Sequence, residues 1–507
     1  MAFKLYNSLS HKEEVFKPLK RGQVSIYACG PTVYQAAHIG NLRTYLFEDI
    51  LRRVLEYNGY QVKHVMNITD VGHLTSDEDS GEDKVELAAK KTGLRATKLT
   101  KYYTDLFKRD LRALNIEFPT KFAPATKYIK EQINLVKKLE KNGYTYQTAD
   151  GIYFNTKKFK HYGRLAKISA GRPRVYHGGE KKSATDFALW KFSAKGEKRQ
   201  QEWPSPWGVG YPGWHLECSA ISTKELSQPF DIHLGGEDHI AIHHNNEIAQ
   251  SEAAYKKPLA KYFVHGAFLL VHPFWNVTLR NNIHQCPFCD YKNLIKGRAG
   301  YIVKKQADGG WLLMVRCKNC KKVFSGMIKM SKSKGNFLSL VDLEKLGFSP
   351  MVFRYLAIAG HYQDSLSFTK SAMEGAQNSL HKLQEIFASK KKGGKLLKKY
   401  QSKFLSTIND NLNLPGAMKI VWEVAGSKAS LADKQVTLLD FDKVLGLGLK
   451  NYKPTTIPAK IKKLAEERQR ARNKKNWAES DRLRKEIEYL GYEILDTESS
   501  YLLKPKL

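Results

Sequence analysis

Nowhere in the 507 residues is there an apolar run of about 18, the length a membrane-spanning helix requires. The opening segment, MAFKLYNSLSHKEE, has no apolar core of the secretory type. A cytoplasmic chain without a membrane anchor is therefore expected. Cysteine is scarce, with six in all. In a reducing compartment such thiols stay unpaired, so disulfides are the weaker account of them. No internal repeat is present, which excludes a solenoid. Acidic residues are also few: 50 Asp and Glu stand against 84 Lys and Arg, for a net charge of +34. A chain this basic is expected to meet a polyanion and gain from counterion release, although a general lysine bias would give the same balance.

Hydrophobic residues make up 42% of the chain. Single cores stop growing at roughly 250–300 residues, so several domains are expected. QVSIYACG reads as a strand ending in a turn, residues 38–58 as a helix with Leu42, Leu46, Ile50 and Leu51 on one face, and QVKHVMNIT as the next strand. Strand, helix and strand in that order predict an α/β, Rossmann-like parallel sheet, whose ligands bind at the carboxyl ends of the strands. The expected division is as follows: 1–115, first half of the sheet domain; 116–210, a connective insertion; 211–365, the second half. A helical region at 366–450 and a C-terminal segment at 451–507 complete it. Within the last, 459–488 reads as one charged helix stopped by Gly491.

HIGN (His38 to Asn41) sits where the first strand should hand over to the first helix. Gly40 lets a nucleotide approach the backbone, the helix N-terminus favours phosphate oxygens, and His38 and Asn41 can donate hydrogen bonds to them. KMSKSKGN places Lys329, Lys332 and Lys334 on a short Ser/Gly loop suited to closing over a triphosphate. Fixed donors and cations lower the barrier to attack by a carboxylate on the α-phosphate of ATP, because charge grows on the departing pyrophosphate. Either motif alone is weak; the two together on a sheet-like chain are informative. The pair resembles the HIGH and KMSKS signatures of class I aminoacyl-tRNA synthetases, with Asn41 in place of the second His.

CGPTVY (29–34), NITD (67–70), YPGWHLECSA (211–220), FDIHLGGEDH (230–239) and HHNNEIAQSEA (243–253) resemble the cysteinyl-tRNA synthetase family. The resemblance runs across nearly the whole chain. It implies a catalytic zinc held by Cys29, Cys218, His243 and Glu247, with Thr69, Trp214 and His233 lining an amino-acid pocket. His243 and Glu247 lie at i and i+4 on a helix and can share one ion, although such pairs also occur as surface contacts. The neighbours His244, Asp238 and His239 are alternatives. The chemistry is apt, since a pocket rejects a near-isostere poorly by shape alone, whereas zinc favours a thiolate over a hydroxyl. The implied activity is ATP-dependent activation of L-cysteine, with Mg²⁺ accompanying ATP, and transfer to tRNA(Cys). A monomer is expected. The rivals are a ligase that passes activated cysteine to an amino sugar and a non-catalytic RNA-binding paralogue.

A second metal site is suggested by spacing. Cys286-Pro-Phe-Cys289 and Cys317-Lys-Asn-Cys320 are two CxxC knuckles flanking β-prone stretches, the pattern of a structural zinc ribbon. It falls in a stretch, 273–326, that looks like an insertion before KMSKS. AGHYQDSLSFT (359–369), DNLNLPGAM (410–418) and KNWAESDRLRKEIEYLGYEILDT (475–497) resemble the family's anticodon-binding region. There Arg482, Arg484 and Asp496 are the candidate tRNA contacts.

Overall fold

The computed structural model describes residues 2–72, 74, 82–166, 180–194, 196, 199–271, 283–285, 289, 292–294, 302–305, 311–325, 328–329, 338–452, 458–496 and 501–505. At its centre is a five-stranded sheet built from β1 (Gln23–Ala28), β2 (Gln61–Ile68), β3 (Lys121–Pro124), β4 (Phe230–Gly236) and β5 (Ala260–Gly266), in the order β5-β4-β1-β2-β3. Every pairing is parallel. A parallel sheet needs cover on both faces, and the central strand β4 is accordingly buried along its whole length. From β1 the chain builds outward through β2 to β3, then returns on the other side through β4 and β5. The order reverses between β1 and β4, and the crevice at their carboxyl ends is where such sheets take ligands.

Helix α1 (Ile39–Tyr57) follows β1, and its predicted face of Leu42, Leu46, Ile50 and Leu51 is fully buried. That face shares one apolar core with Phe353, Phe404 and Phe441 of the later helices, so the helical region is packed onto the sheet rather than set apart from it. Arg354 ties the two together. It is fully buried, donates to Asp49 on α1 at 2.6 Å, and also donates to the carbonyls of Leu445 and Leu114 at 2.7 and 2.8 Å. On the opposite face lie α2 (Trp214–Leu226) and α3 (His243–Tyr255), with a second core. Among the described residues no helix is long and apolar enough to cross a membrane.

Two differences from the sequence expectation stand out. Strand β3 falls inside the stretch assigned to the insertion, so the sheet runs on to residue 124. Its sequence, KFAP, carries a Lys and a Pro, which suit only a sheet edge and hide a strand from pattern reading. The inserted unit proper is an antiparallel sheet of Thr145–Thr148, Gly151–Phe154, Phe187–Phe192 and Gly210–Pro212. The single charged helix expected at 459–488 is two, Ala459–Asn473 and Trp477–Tyr489. Lys475 adopts φ +55° and the Asn476 side chain caps the second helix at Glu479, turning the chain back on itself. Gly491, at φ +82°, follows that helix as expected.

Candidate active site

Cys29 immediately follows β1, and the chain turns there against β2. The Gly30 N–H donates to Asn67 Oδ1 at 2.8 Å, and a Cβ on Gly30 would come within 1.8 Å of the Asn67 carbonyl oxygen. Only glycine allows this approach, which sets the direction of the Cys29 side chain. Cys218 comes from α2 and His243 and Glu247 from α3, all buried. The four donor atoms lie within 4.8 Å of one another. The distances are 3.9 Å from Cys29 Sγ to Cys218 Sγ, 3.6 Å from Cys218 Sγ to His243 Nε2, 3.7 Å from Cys29 Sγ to Glu247 Oε1 and 3.0 Å from His243 Nε2 to Glu247 Oε1. Donors at ordinary zinc bond lengths on a tetrahedron stand roughly 3.2–3.8 Å apart, so this set fits the ion with little movement.

A second group, Cys29, His233, His244 and Glu247, overlaps the first. Geometry separates their roles. His233 Nε2 bonds the other Glu247 oxygen, Oε2, at 2.9 Å, and so orients the carboxylate in the manner of an outer-shell partner. His244 Nε2 is 3.3 Å from Cys29, but its Nδ1 is tied to His265 at 2.8 Å. Cys29, common to both groups, lines a cavity of about 260 Å³; His243 lines it as well, whereas His233 and His244 do not, so the first group presents the more to space a substrate could fill. His243 is in turn held by His215, Nδ1 to Nδ1 at 2.9 Å. Sequence reasoning passed over His215; its place beside Trp214 and one turn from Cys218 was the available signal.

The four donors shift one another: burial, with the hydrogen bond to Cys218, pushes the Cys29 thiol well above its ordinary value. Burial would raise the Glu247 carboxyl, but His233 and His243 outweigh it and hold it well below the usual range. Burial would lower His243, yet Glu247 and Cys218 bring it up to about 10. Burial would raise Cys218, but hydrogen bonding with Cys29 and His243 brings it down to about 7. His244 is pushed well below its ordinary value by burial and by the surrounding histidines.

The same cavity takes Thr69, Trp214, His38 and Asn41 in its walls, together with Asp238 and His239. His38 is the N-cap of α1: its Nδ1 accepts from the Asn41 N–H at 3.0 Å, while Asn41 Oδ1 accepts from the His38 N–H at 3.5 Å. An amide at position 41 thus completes a capping box. Gly40 lies in the first turn between them. The second nucleotide motif is only partly within view. Lys329 ends a short strand, Ile328–Lys329, paired with Leu269–Val271, and Lys332 lies outside the described residues.

In the ribbon, Cys289, Cys317 and Cys320 come together, with Cys289 and Cys317 Sγ atoms 3.6 Å apart. Cys286 lies outside the described residues. Each knuckle joins two antiparallel strands: Ile283–Gln285 with Lys292–Leu294, and Trp311–Arg316 with Val323–Ser325. In the C-terminal unit, Asp496 accepts from Arg484 at 2.6 Å, from Arg472 at 2.8 Å and from Arg468 at 2.6 Å, while the exposed Arg482 pairs with Glu479 and Glu486.

A parallel sheet with a capped helix start and a buried thiol, imidazole and carboxylate group at its switch point defines a class, and comparison agrees. Residues 15–274 match the family model described as tRNA synthetases class I (C) catalytic domain. Cysteine--tRNA ligase 1 of Burkholderia lata is 43% identical over 504 residues, covering 98% of this chain and 96% of that protein. The cysteine--tRNA ligase of Treponema denticola is 36% identical over 538 residues, covering 98% of each. The chain belongs to the cysteine--tRNA ligase family. A Mycobacterium tuberculosis methionyl-tRNA synthetase in complex with methionyl-adenylate aligns with 84% of this chain and 90% of its own, at 15% identity and a TM-score of 0.48.

Proposed function

We propose that the protein activates L-cysteine with ATP, releasing pyrophosphate, and transfers the cysteinyl group to the terminal ribose of tRNA(Cys). The carrying observation is that one cavity is lined both by members of the metal-binding group, Cys29 and His243, and by His38 and Asn41 at the N-terminus of α1. Cys29, Cys218, His243 and Glu247 would hold zinc, which when bound favours a thiolate ligand over a hydroxyl. Thr69 and Trp214 shape the space beside it, and His233 keeps the Glu247 carboxylate in place. His38, Gly40 and Asn41 present the helix N-terminus to the phosphates, with Lys329 and Lys332 as the cations and Mg²⁺ accompanying ATP. This is catalysis by positioning and fixed charge, and no general base is assigned.

A second, structural zinc on Cys286, Cys289, Cys317 and Cys320 is supported by the gathering of the last three. Arg482, Arg484 and Asp496 are proposed for the tRNA, with Asp496 acting through the arginines it gathers. A cytoplasmic monomer is the expected state.

Cysteine-dependent exchange of pyrophosphate into ATP, with serine as control, tests the first step, and charging of a cysteine tRNA tests the second. Cys218→Ser should lose most of the preference for cysteine over serine. An unchanged preference would sink the role given to the thiol group, and exchange without tRNA charging would favour a ligase acting on a small amine.

A further inference from the structure

Cysteine offers three groups to its site, and the proposed function accounts for two of them. The sulfur goes to Cys29, Cys218, His243 and Glu247; the carboxylate must face the phosphates at the start of α1. The α-ammonium remains, a cation that has to leave water when the cavity fills. Moving a charge into a closed site is costly unless an opposite charge meets it there.

One residue of the cavity wall fits that need. Glu217 lies on α2 immediately before Cys218, is 2% exposed, and lines the same cavity as Thr69, Trp214 and His243. Thr69 Oγ1 and Asn67 Nδ2 both donate to its Oε1, the second at 3.3 Å. Oε2 takes neither bond. No Lys or Arg pairs with this carboxylate among the described residues, whereas the buried Asp49 and Asp83 pair with Arg354 and Arg199 at 2.6 Å each. A buried carboxyl group held by two neutral donors, on the wall of the substrate cavity and in no ion pair with Lys or Arg among the described residues, can take a cation there. In cysteine the nitrogen is two carbons from the sulfur, which matches an acid adjoining a residue of the thiol-binding group. Thr69 contributes as well. Because its hydroxyl proton is committed to Glu217, the oxygen can act toward the cavity only as an acceptor, the polarity an ammonium requires.

We infer that Glu217, with Thr69 held by it, binds the α-ammonium group of the amino acid. This deepens the proposed function and rests on it. Two consequences follow. Thiols without an amino group lose a charge-assisted contact whatever their fit at the sulfur. The second is orientation, since with sulfur and nitrogen both anchored, the carboxylate is left to point at the phosphates.

The experiment compares three ligands by equilibrium binding to the zinc-loaded protein: cysteine, cysteamine (thiol and ammonium, no carboxylate) and 3-mercaptopropionate (thiol and carboxylate, no ammonium). Glu217→Gln should weaken cysteine and cysteamine by on the order of 10²-fold and leave 3-mercaptopropionate within about threefold. Zinc content and KM for ATP should not change. Glu217→Asp, which keeps the charge, should recover part of the loss. Equal weakening of all three ligands would show a structural role and overturn the inference, as would no weakening of cysteine. If Glu217→Gln does not fold, Thr69→Val tests the same pattern through the hydroxyl. Wild-type protein that binds none of the three thiols would instead refute the proposed function itself, a separate outcome.

Discussion

Replacing Glu48 with methionine should stabilise the protein, and more so as the pH rises. Glu48 lies on α1, is 1% exposed, and neither of its carboxyl oxygens has a hydrogen-bond partner. Burial pushes its pKa well above the ordinary 4.5. An orphaned buried polar group costs roughly 1–3 kcal/mol, and methionine fills a similar volume without it. The folded state keeps the proton that the unfolded chain releases above pH 4.5. Ionisation therefore favours the unfolded state from that pH upward, by at most about 1.4 kcal/mol per pH unit, until the folded-state pKa is reached. Below pH 4.5 both states are protonated and only the desolvation cost remains. Urea unfolding followed by circular dichroism at about pH 5 and about pH 8 reads the two contributions. A chain with several cores need not unfold in one step, so the quantity compared is the midpoint of the transition that reports α1. Glu48→Met should show a higher midpoint at both pH values and a larger gain at the higher one. A gain that is absent, or identical at the two, would refute the reasoning. Zinc content should be unchanged, since Glu48 is not among the four donors.

His64 lies on β2 with both ring nitrogens unpartnered, and burial, aided by Arg52, pushes its pKa down to about 3. Its stability contribution is complete above the unfolded value of 6.5 and is lost as the pH falls from there toward 3, so His64→Phe should flatten the acid arm of a melting-temperature profile. Arg354→Met leaves Asp49 buried with Arg53 as its remaining ion-pair partner at 2.8 Å, and should cost about 3–5 kcal/mol by thermal unfolding, part of it restored by Asp49→Asn in the same chain. Gly30→Ala places a methyl group on the Asn67 carbonyl and should cut zinc retention at the cavity at least tenfold in a chelator competition, with the ribbon metal unaffected. Metal analysis should find about two zinc ions per chain, falling to about one in Cys317→Ser, on the tetrahedral ligand count.

Patterns confined to a short stretch were readable without a structure. The strands ending at Ala28 and Ile68, the helix after HIGN and the i, i+4 spacing of His243 and Glu247 depend on local periodicity, which sequence displays directly. Family resemblance brought Cys29 and Cys218 into one site. Only the tertiary structure put their sulfur atoms 3.9 Å apart, placed His243 rather than His244 on the cavity, and turned Glu217 into its wall. It alone decided that Glu48 and His64 are buried without partners and that the later helices share a core with α1. The physical reason is that burial, partner and distance belong to packing between segments far apart in the chain. A residue's own neighbours in sequence carry no record of which distant side chain will exclude water from it.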